Sequence, residues 1–367
     1  MKKILTTTAL VGTLLAGTNY AIAQTTITGQ LDIGYKALSS KSTTATNGKA
    51  VSYRGATRET QINVSNKGKL NNGLDYVAGF SLEMDGGEAI NTSSTGENVY
   101  IDLIAGKTMF TIGGDHFMNP NFEITNLAGG VSDIDDVVTG QGSTSSTGTL
   151  RSLAAVYSTN SAQSANQAMG AALTQDFGVA KAMIAYFPDR NGGSAMSNDG
   201  SGFTAVDAGN SQIEGMIRGN LGVKGLDAFV YRGKSESDTP GTADSGKDLT
   251  GTKYGASYNF GQFSAAASQS KVTTSTNMDA KTTSLGVAFA ASKDLTIGLI
   301  HSKTEADNVS ATATSKGVVP DEKLKAINIG YNLGPVVANV VYVDGDDNGG
   351  VSGNDPKAVH LNLTTKF

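Results

Sequence analysis

The sequence has no cysteine and no tryptophan, and among its 367 residues there are only 6 prolines and 3 histidines. Without cysteine, disulfide staples, thiolate catalysis and thiolate metal sites are all excluded. After the first two dozen residues there is no long apolar run. That excludes a membrane-spanning helix, which needs about 20 consecutive apolar residues. Basic residues are also in short supply, with 28 Lys and Arg against 33 Asp and Glu. Nucleic acid is therefore excluded as a partner, because phosphate binding needs clustered positive charge. Glycine, by contrast, is abundant at 46 residues. With serine and threonine spread throughout, the composition suits β structure joined by turns. A cysteine-free exported chain needs another source of robustness, and a closed ring of strand hydrogen bonds supplies one.

Export is read from the first residues. Lys2 and Lys3 give a basic start, "ILTTTALVGTLLAG" is a short and moderately apolar run, and Ala21 and Ala23 are small residues flanking Ile22. This pattern predicts a secretory signal over residues 1–23, cleaved before Gln24, and a single domain over 24–367. Removing Lys2 and Lys3 from the 28 basic residues leaves 26 against 33 acidic ones, a net charge of −7.

The chain ends "KAVHLNLTTKF". Val359, Leu361, Leu363 and Phe367 form an apolar row interrupted by Thr365, and His360, Asn362, Thr364 and Lys366 form a polar one. A strand sends alternate side chains to opposite faces, so this is a two-faced strand. The same alternation recurs in "TITGQLDIGYKAL", "GLDYVAGFSLEM", "NVYIDLIAG", "QIEGMIRGNLG" and "KYGASYNFG". Segments of about ten residues with period 2 are what barrel strands look like in sequence. The predicted strands are 26–38, 54–66, 73–84, 98–105, 107–115, one within 151–174, 179–187 and 211–222. They continue at 226–236, 252–260, 262–272, 281–292, 295–306, 323–333, 335–344 and 357–367. The stretch 151–174 has room for one strand or two. One makes the total even, as closure of a bacterial single-chain barrel requires.

The connections carry a second signal. Short links at 66–73, 105–107, 175–178, 223–225, 260–262, 292–294 and 333–335 take turns with long polar ones at 39–53, 85–97, 116–150, 188–210, 237–251, 307–322 and 345–356. Up-and-down membrane barrels have short turns on one side and long loops on the other. A secreted β-rich adhesin has no reason for this alternation, nor for such polar second rows. The fold expected is an all-β, transmembrane, antiparallel up-and-down barrel of sixteen strands.

On "TGQLDIGY", "NKGKLNNGLDY", "GKTMFTIGGDHF" through "SDIDDV", and a final strand ending in Phe367, the chain resembles the Gram-negative general diffusion porins along its whole mature length. The resemblance implies a homotrimer in the outer membrane, with small hydrophilic solutes and ions as cargo. It also implies contacts with outer-membrane lipid and lipopolysaccharide, and recognition of Phe367 by the barrel-assembly machinery. The third external loop, 116–150, would fold inward and bring Glu123, Asp133, Asp135 and Asp136 to the constriction. Phe122, Leu127, Val131 and Ile134 would pin that loop to the wall. Facing charges of this kind set pore selectivity. Lys36, Arg54, Arg58 and Arg218 are the candidate wall bases, and Gln30 and Asp32 are further lumen residues. By strand parity Arg58 shares the apolar row of Ile62 and Val64, so its inward role requires a β-bulge between Arg58 and Ile62. Asp32, where relatives often carry a base, and the net −7 together predict a weak cation preference.

"DGDDNGGVSGND" has the spacing of a calcium loop, with Asp344, Asp346 and Asn348 at alternate positions, then glycine, then Asp355. An Asp- and Gly-rich hairpin explains the same letters without metal, and no cofactor is required for passive diffusion. An outer-membrane hydrolase needs an Asp–His or Ser–His arrangement. His116, His301 and His360 lie in no catalytic signature, so no enzyme activity is expected. A substrate-specific channel, for sugars for instance, calls for a ladder of aromatics along the lumen, and the polar rows here are mostly Ser, Thr, Asn and Asp.

Overall fold

The structure is a computed structural model that describes residues 23–40, 51–85, 95–114, 116–118, 169–188, 211–237, 247–273, 279–307, 320–348 and 352–367. Strands that present one apolar row to hydrocarbon must pair on both edges, since lipid offers no hydrogen-bond partner. Sixteen strands among the described residues do so. They are β1 (Gln24–Ser40), β2 (Val51–Lys69), β3 (Asp75–Asp85), β4 (Thr95–Ala105), β5 (Thr108–Gly114), β6 (Met169–Asp176), β7 (Ala180–Phe187) and β8 (Gln212–Gly219). The second half comprises β9 (Leu226–Ser237), β10 (Lys247–Phe260), β11 (Phe263–Thr273), β12 (Asp279–Ala290), β13 (Leu295–Asp307), β14 (Glu322–Asn332), β15 (Val336–Asp346) and β16 (Lys357–Lys366). Each pairs antiparallel with its sequence neighbour, and β1 pairs with β16 to close the ring. Among the described residues no helix is long and apolar enough to cross a membrane.

The predicted strands are all present, mostly within a few residues of their expected ends. The stretch with room for one strand or two contributes β6, which runs on to Asp176. The connections depart from expectation in one place. The sixth link on the loop side, 274–278, is as short as the turns opposite.

The outward rows are aliphatic in the middle and aromatic at both rims. Ile33, Ile101, Ile184, Val230, Leu285, Leu299 and Leu363 are all exposed. On the turn side, Tyr258, Phe260, Phe263 and Phe289 form a stacked outward series with ring centroids 5.9, 5.8 and 4.9 Å apart. On the loop side, Tyr35, Tyr186, Tyr254 and Tyr342 face outward. Two aromatic girdles around an aliphatic band are the outer surface of a membrane barrel.

The inner rows are polar in the middle, where Thr282 bonds Thr304 at 2.9 Å and Ser284 bonds Ser302 at 3.0 Å across the β12–β13 pair. They are not polar throughout, as the sequence reading expected. Near the loop side of β14–β16 and β1 the inner row is apolar, with Leu324, Val343, Ala358 and Leu38 buried. The outer row of β14–β16 there is charged, with Lys323 against Asp346 and Lys357 against Asp344, each at 3.5 Å. Charge on the outside and aliphatics on the inside mark strand ends that have risen out of hydrocarbon.

Candidate functional site

The inner wall is built by strand parity. Asp32 and Lys36 on β1 point inward because Ile33 and Tyr35 point outward. Asp32 is buried and accepts hydrogen bonds from Thr364 Oγ1 at 2.5 Å and Asn362 Nδ2 at 3.3 Å, both on β16. Lys36 stands opposite His360, and the His360 ring bonds Thr57 Oγ1 at 2.8 Å across Gly34. A side chain at position 34 would collide with both partners of that bond. Gln30 lies opposite Gln61. Gln61 Oε1 accepts from Asn63 Nδ2 at 3.3 Å, Ser81 Oγ donates to Asn63 Oδ1 at 2.5 Å, and Asn98 Nδ2 donates to Ser81 Oγ at 3.1 Å. The result is a hydrogen-bonded polar wall, suited to a water column.

Arg218, on the inner row of β8 near the short turn after it, pairs with Asp227. Its Nη2 lies 2.6 Å from Asp227 Oδ2 and its Nε lies 3.2 Å from each carboxylate oxygen. The fork geometry fixes both groups at the turn-side mouth. Arg54 and Arg58 are placed differently from expectation. The β1–β2 register is unbroken, with Ile33 opposite Arg58 and Ala37 opposite Arg54. Both arginines therefore lie on the outward row, and the bulge needed to turn Arg58 inward is not there. The irregularity falls instead between β3 and β4, at Gly79 and Ser81, where Asn98 takes a φ of 50°.

The four acids of the expected constriction, Glu123, Asp133, Asp135 and Asp136, lie outside the described residues, as do the apolar residues Phe122, Leu127, Val131 and Ile134. The first residues of that loop are described. His116 Nε2 lies 3.3 Å from Asp102 Oδ2 and its ring stacks on Tyr100 at 3.2 Å. Phe117 meets Phe187 edge to face at 4.9 Å, and the Met118 backbone N–H reaches Met183 Sδ at 3.3 Å. Phe187 and Met183 belong to the inner row of β7, and they form with Phe117, Met216, Phe229 and Tyr231 a buried cluster inside the wall. The chain leaving β5 thus crosses β6 on the inside of the ring. Sequence reasoning missed this anchor because it falls between a strand end and a loop, where no periodicity survives.

The aromatics of this cluster pack on one another and are not strung along the lumen as a sugar ladder would be. Asp102 and His116 do make an Asp–His pair. The hydroxyl beside them, Thr111 Oγ1, donates to Asp102 at 2.6 Å, so it serves the carboxylate and is not poised on the imidazole as a nucleophile. His301 lies on the outer row of β13, between Leu299 and Lys303. In the last external turn, Asp346 and Asp355 come together with Asp347, whereas Asp344 lies apart on the outer row against Lys357.

A closed ring with lipid-type rows outside and a hydrogen-bonded polar wall inside is a transmembrane channel barrel. The family model for the Gram-negative porins matches residues 6–364, and the chain belongs to that family. It is an outer-membrane channel for passive diffusion of small hydrophilic solutes and ions. Among solved structures, the fold is similar to the outer membrane channel DcaP of Acinetobacter baumannii, at 14% identity and a TM-score of 0.60, over 94% of this chain and 97% of that one. It is equally similar to an anion-selective porin from Comamonas acidovorans, at 14% identity and a TM-score of 0.60, over 94% of this chain and all 100% of the other. A mutant of Rh. blastica porin matches at 11% identity and a TM-score of 0.57, with 94% and 100% covered. No curated protein sequence matches the chain.

Proposed function

We propose that this porin prefers cations weakly and that residues 116–150 form its constriction, with Glu123, Asp133, Asp135 and Asp136 lining it. The observation that carries the reading is the inward turn of His116–Met118 onto the inner face of β7. A segment anchored there starts inside the ring. The wall charge supports the same sign of selectivity. Away from the turn-side mouth, the described inner rows hold Asp32, Glu59, Glu83, Asp102, Glu214 and Glu322 against Lys36 and Lys253. Fields in a water-filled pore are screened over about 10 Å at 0.1 M salt, so the preference fades as salt rises. The test is a planar-bilayer recording under a KCl gradient. Wild type is expected to reverse at a cation-selective potential, and the triple change Asp133→Asn, Asp135→Asn and Asp136→Asn should move it toward zero. An unchanged potential removes the constriction assignment.

The partners follow from the outer surface. Family membership supports a homotrimer. The loop-side outer rows of β11–β14 carry Lys271, Lys281, Lys303 and Lys325 just beyond the aliphatic band. Lys281 and Lys303 pair with Glu305, and Lys303 also with Asp321, so the support for contact with the phosphates of lipopolysaccharide comes from Lys271 and Lys325. The exposed Phe367 ring supports recognition by the barrel-assembly machinery. Native mass spectrometry of the detergent-extracted protein tests the first two. Monomers without bound lipopolysaccharide would overturn them. For the third, Phe367→Ala is expected to lower the amount of assembled barrel in the outer membrane, and wild-type assembly would overturn it.

A further inference from the structure

We propose that the turn joining β15 to β16 is a divalent-cation site, with Asp346, Asp347, Asp355 and the Oδ1 of Asn348 as its ligands and Ca²⁺ as the ion it fits. One carboxylate oxygen from each of the three acids lies within 4.8 Å of the others. The cation described nearest to them, Lys323, is 3.5 Å from Asp346. One ammonium cannot balance three carboxylates brought this close, and the remaining repulsion favours a second positive charge.

Asn348 is an independent pointer. It is only 7% exposed, and its Oδ1 is fully buried without a hydrogen-bond partner. Burying such an oxygen is costly unless a hydrogen-bond donor or a cation meets it. Both of its backbone groups bind the opposite arm of the turn: its N–H donates to Asn354 O at 2.8 Å, and its carbonyl accepts from Asn354 Nδ2 at 2.9 Å. Asn348 is thereby held against the arm that carries Asp355, next in sequence to Asp347, with its amide oxygen shut away from solvent.

Backbone conformation explains why the ligand set differs from the one that letter spacing suggests. β15 runs unbroken to Asp346, so Asp344 falls on the outer row and pairs with Lys357. The chain then reverses through Asp347, whose φ is 52°. Aspartate tolerates this left-handed conformation better than most residues. Gly353 N–H donates to Asp347 Oδ1 at 2.7 Å, and Asp347 N–H donates to Asp355 Oδ1 at 3.3 Å. These bonds align two of the carboxylates and leave their second oxygens available. Four oxygen donors with no histidine or thiolate match a hard cation and not zinc. Ca²⁺ takes six to eight oxygens in flexible geometry, so water would complete the shell, whereas Mg²⁺ demands a stricter octahedron. Extracellular calcium modules bind on the order of 10⁻⁴ to 10⁻³ M, the range expected on an external turn.

The test is calorimetric titration of Ca²⁺ into the EDTA-treated, detergent-folded full chain, with Mg²⁺ titrated for comparison. Wild type should show one saturable Ca²⁺ site per chain, tighter than for Mg²⁺. Asp347→Asn and Asp355→Asn should each weaken it at least tenfold, and Asp344→Asn should leave it unchanged. Folding of each variant is checked by unheated electrophoretic mobility. Where an aspartate variant does not fold, Asn348→Ala, which alters no charge, carries the comparison. No saturable Ca²⁺ binding by wild type, full binding by folded Asn348→Ala, or equal loss in Asp344→Asn would each overturn the site. The reversal potential of the pore is a separate readout, so this result does not depend on the constriction.

Discussion

Phe367, the last residue, exchanges both backbone hydrogen bonds with Gly29 of the first strand: Gly29 N–H donates to Phe367 O at 2.7 Å, and Phe367 N–H donates to Gly29 O at 3.0 Å. The ring of Phe367 lies over Gly29 on the outer face and is 66% exposed. The two residues form the turn-side end of the β1–β16 seam, which otherwise runs from Gln30 opposite Lys366 to Ser39 opposite Lys357. A barrel without this seam would present two unpaired edges to lipid.

A side chain at position 29 should therefore damage closure. A Cβ built there overlaps the Phe367 ring and crowds the Gln61 carbonyl oxygen, and a carbonyl in a strand ladder cannot move aside. Overpacking of this kind costs about 1–3 kcal/mol. Gly29→Val is expected to lower the urea midpoint in detergent and to reduce the heat-modifiable band on unheated gels. Combining it with Phe367→Ala should restore part of the loss. If Gly29→Val unfolds at the wild-type midpoint, the ring does not pack on Gly29.

Arg58 offers a test of strand register. It stands opposite Ile33 on the outer row. The next outward residue of β1 toward the loop side is Tyr35, so the guanidinium can reach the interfacial girdle by extending along the strand. An outward charge contributes little to the field in the lumen. Arg58→Leu should leave conductance and reversal potential unchanged. Stability should hold or rise, because an arginine facing lipid costs about 0–4 kcal/mol depending on its depth. A shift in reversal potential under a KCl gradient would mean that Arg58 faces the pore after all.

Arg58 also shows where sequence legibility ends. Parity alone put Arg58 outside, and the unbroken register agrees with it. The inward position came from family resemblance and required a bulge that the strand does not contain. Period-2 alternation locates the strands and the seam because side-chain direction is a local property of the backbone. It does not say which medium touches each row at each height. Val343 and Lys323 look like ordinary members of alternating strands. Only the assembled ring places Val343 inside and Lys323 outside, above the hydrocarbon. The calcium-type spacing was likewise visible in the letters, yet the choice between Asp344 and Asp347 depends on where β15 stops. The inward anchor at Phe117 had no periodic signal at all.

The Arg218–Asp227 pair predicts opposite shifts of the reversal potential when either charge at the turn-side mouth is neutralised. Both side chains are about one-third exposed, 34% and 37%, so solvent screens the pair and its worth to stability is small, about 0–1 kcal/mol. Its effect on ions should be easier to see, because each partner masks the other's field. Asp227→Asn would leave the guanidinium unmasked and move the reversal potential toward anions. Arg218→Gln would leave the carboxylate unmasked and move it toward cations. The double change should fall near wild type, because it removes one charge of each sign from the same place. Raising salt from about 0.1 M to about 1 M shortens the screening length from about 10 Å to about 3 Å, and all the differences should then shrink together. Single changes that leave the reversal potential unmoved, or a double variant displaced well away from wild type, would show that this pair does not set the field at the turn-side mouth.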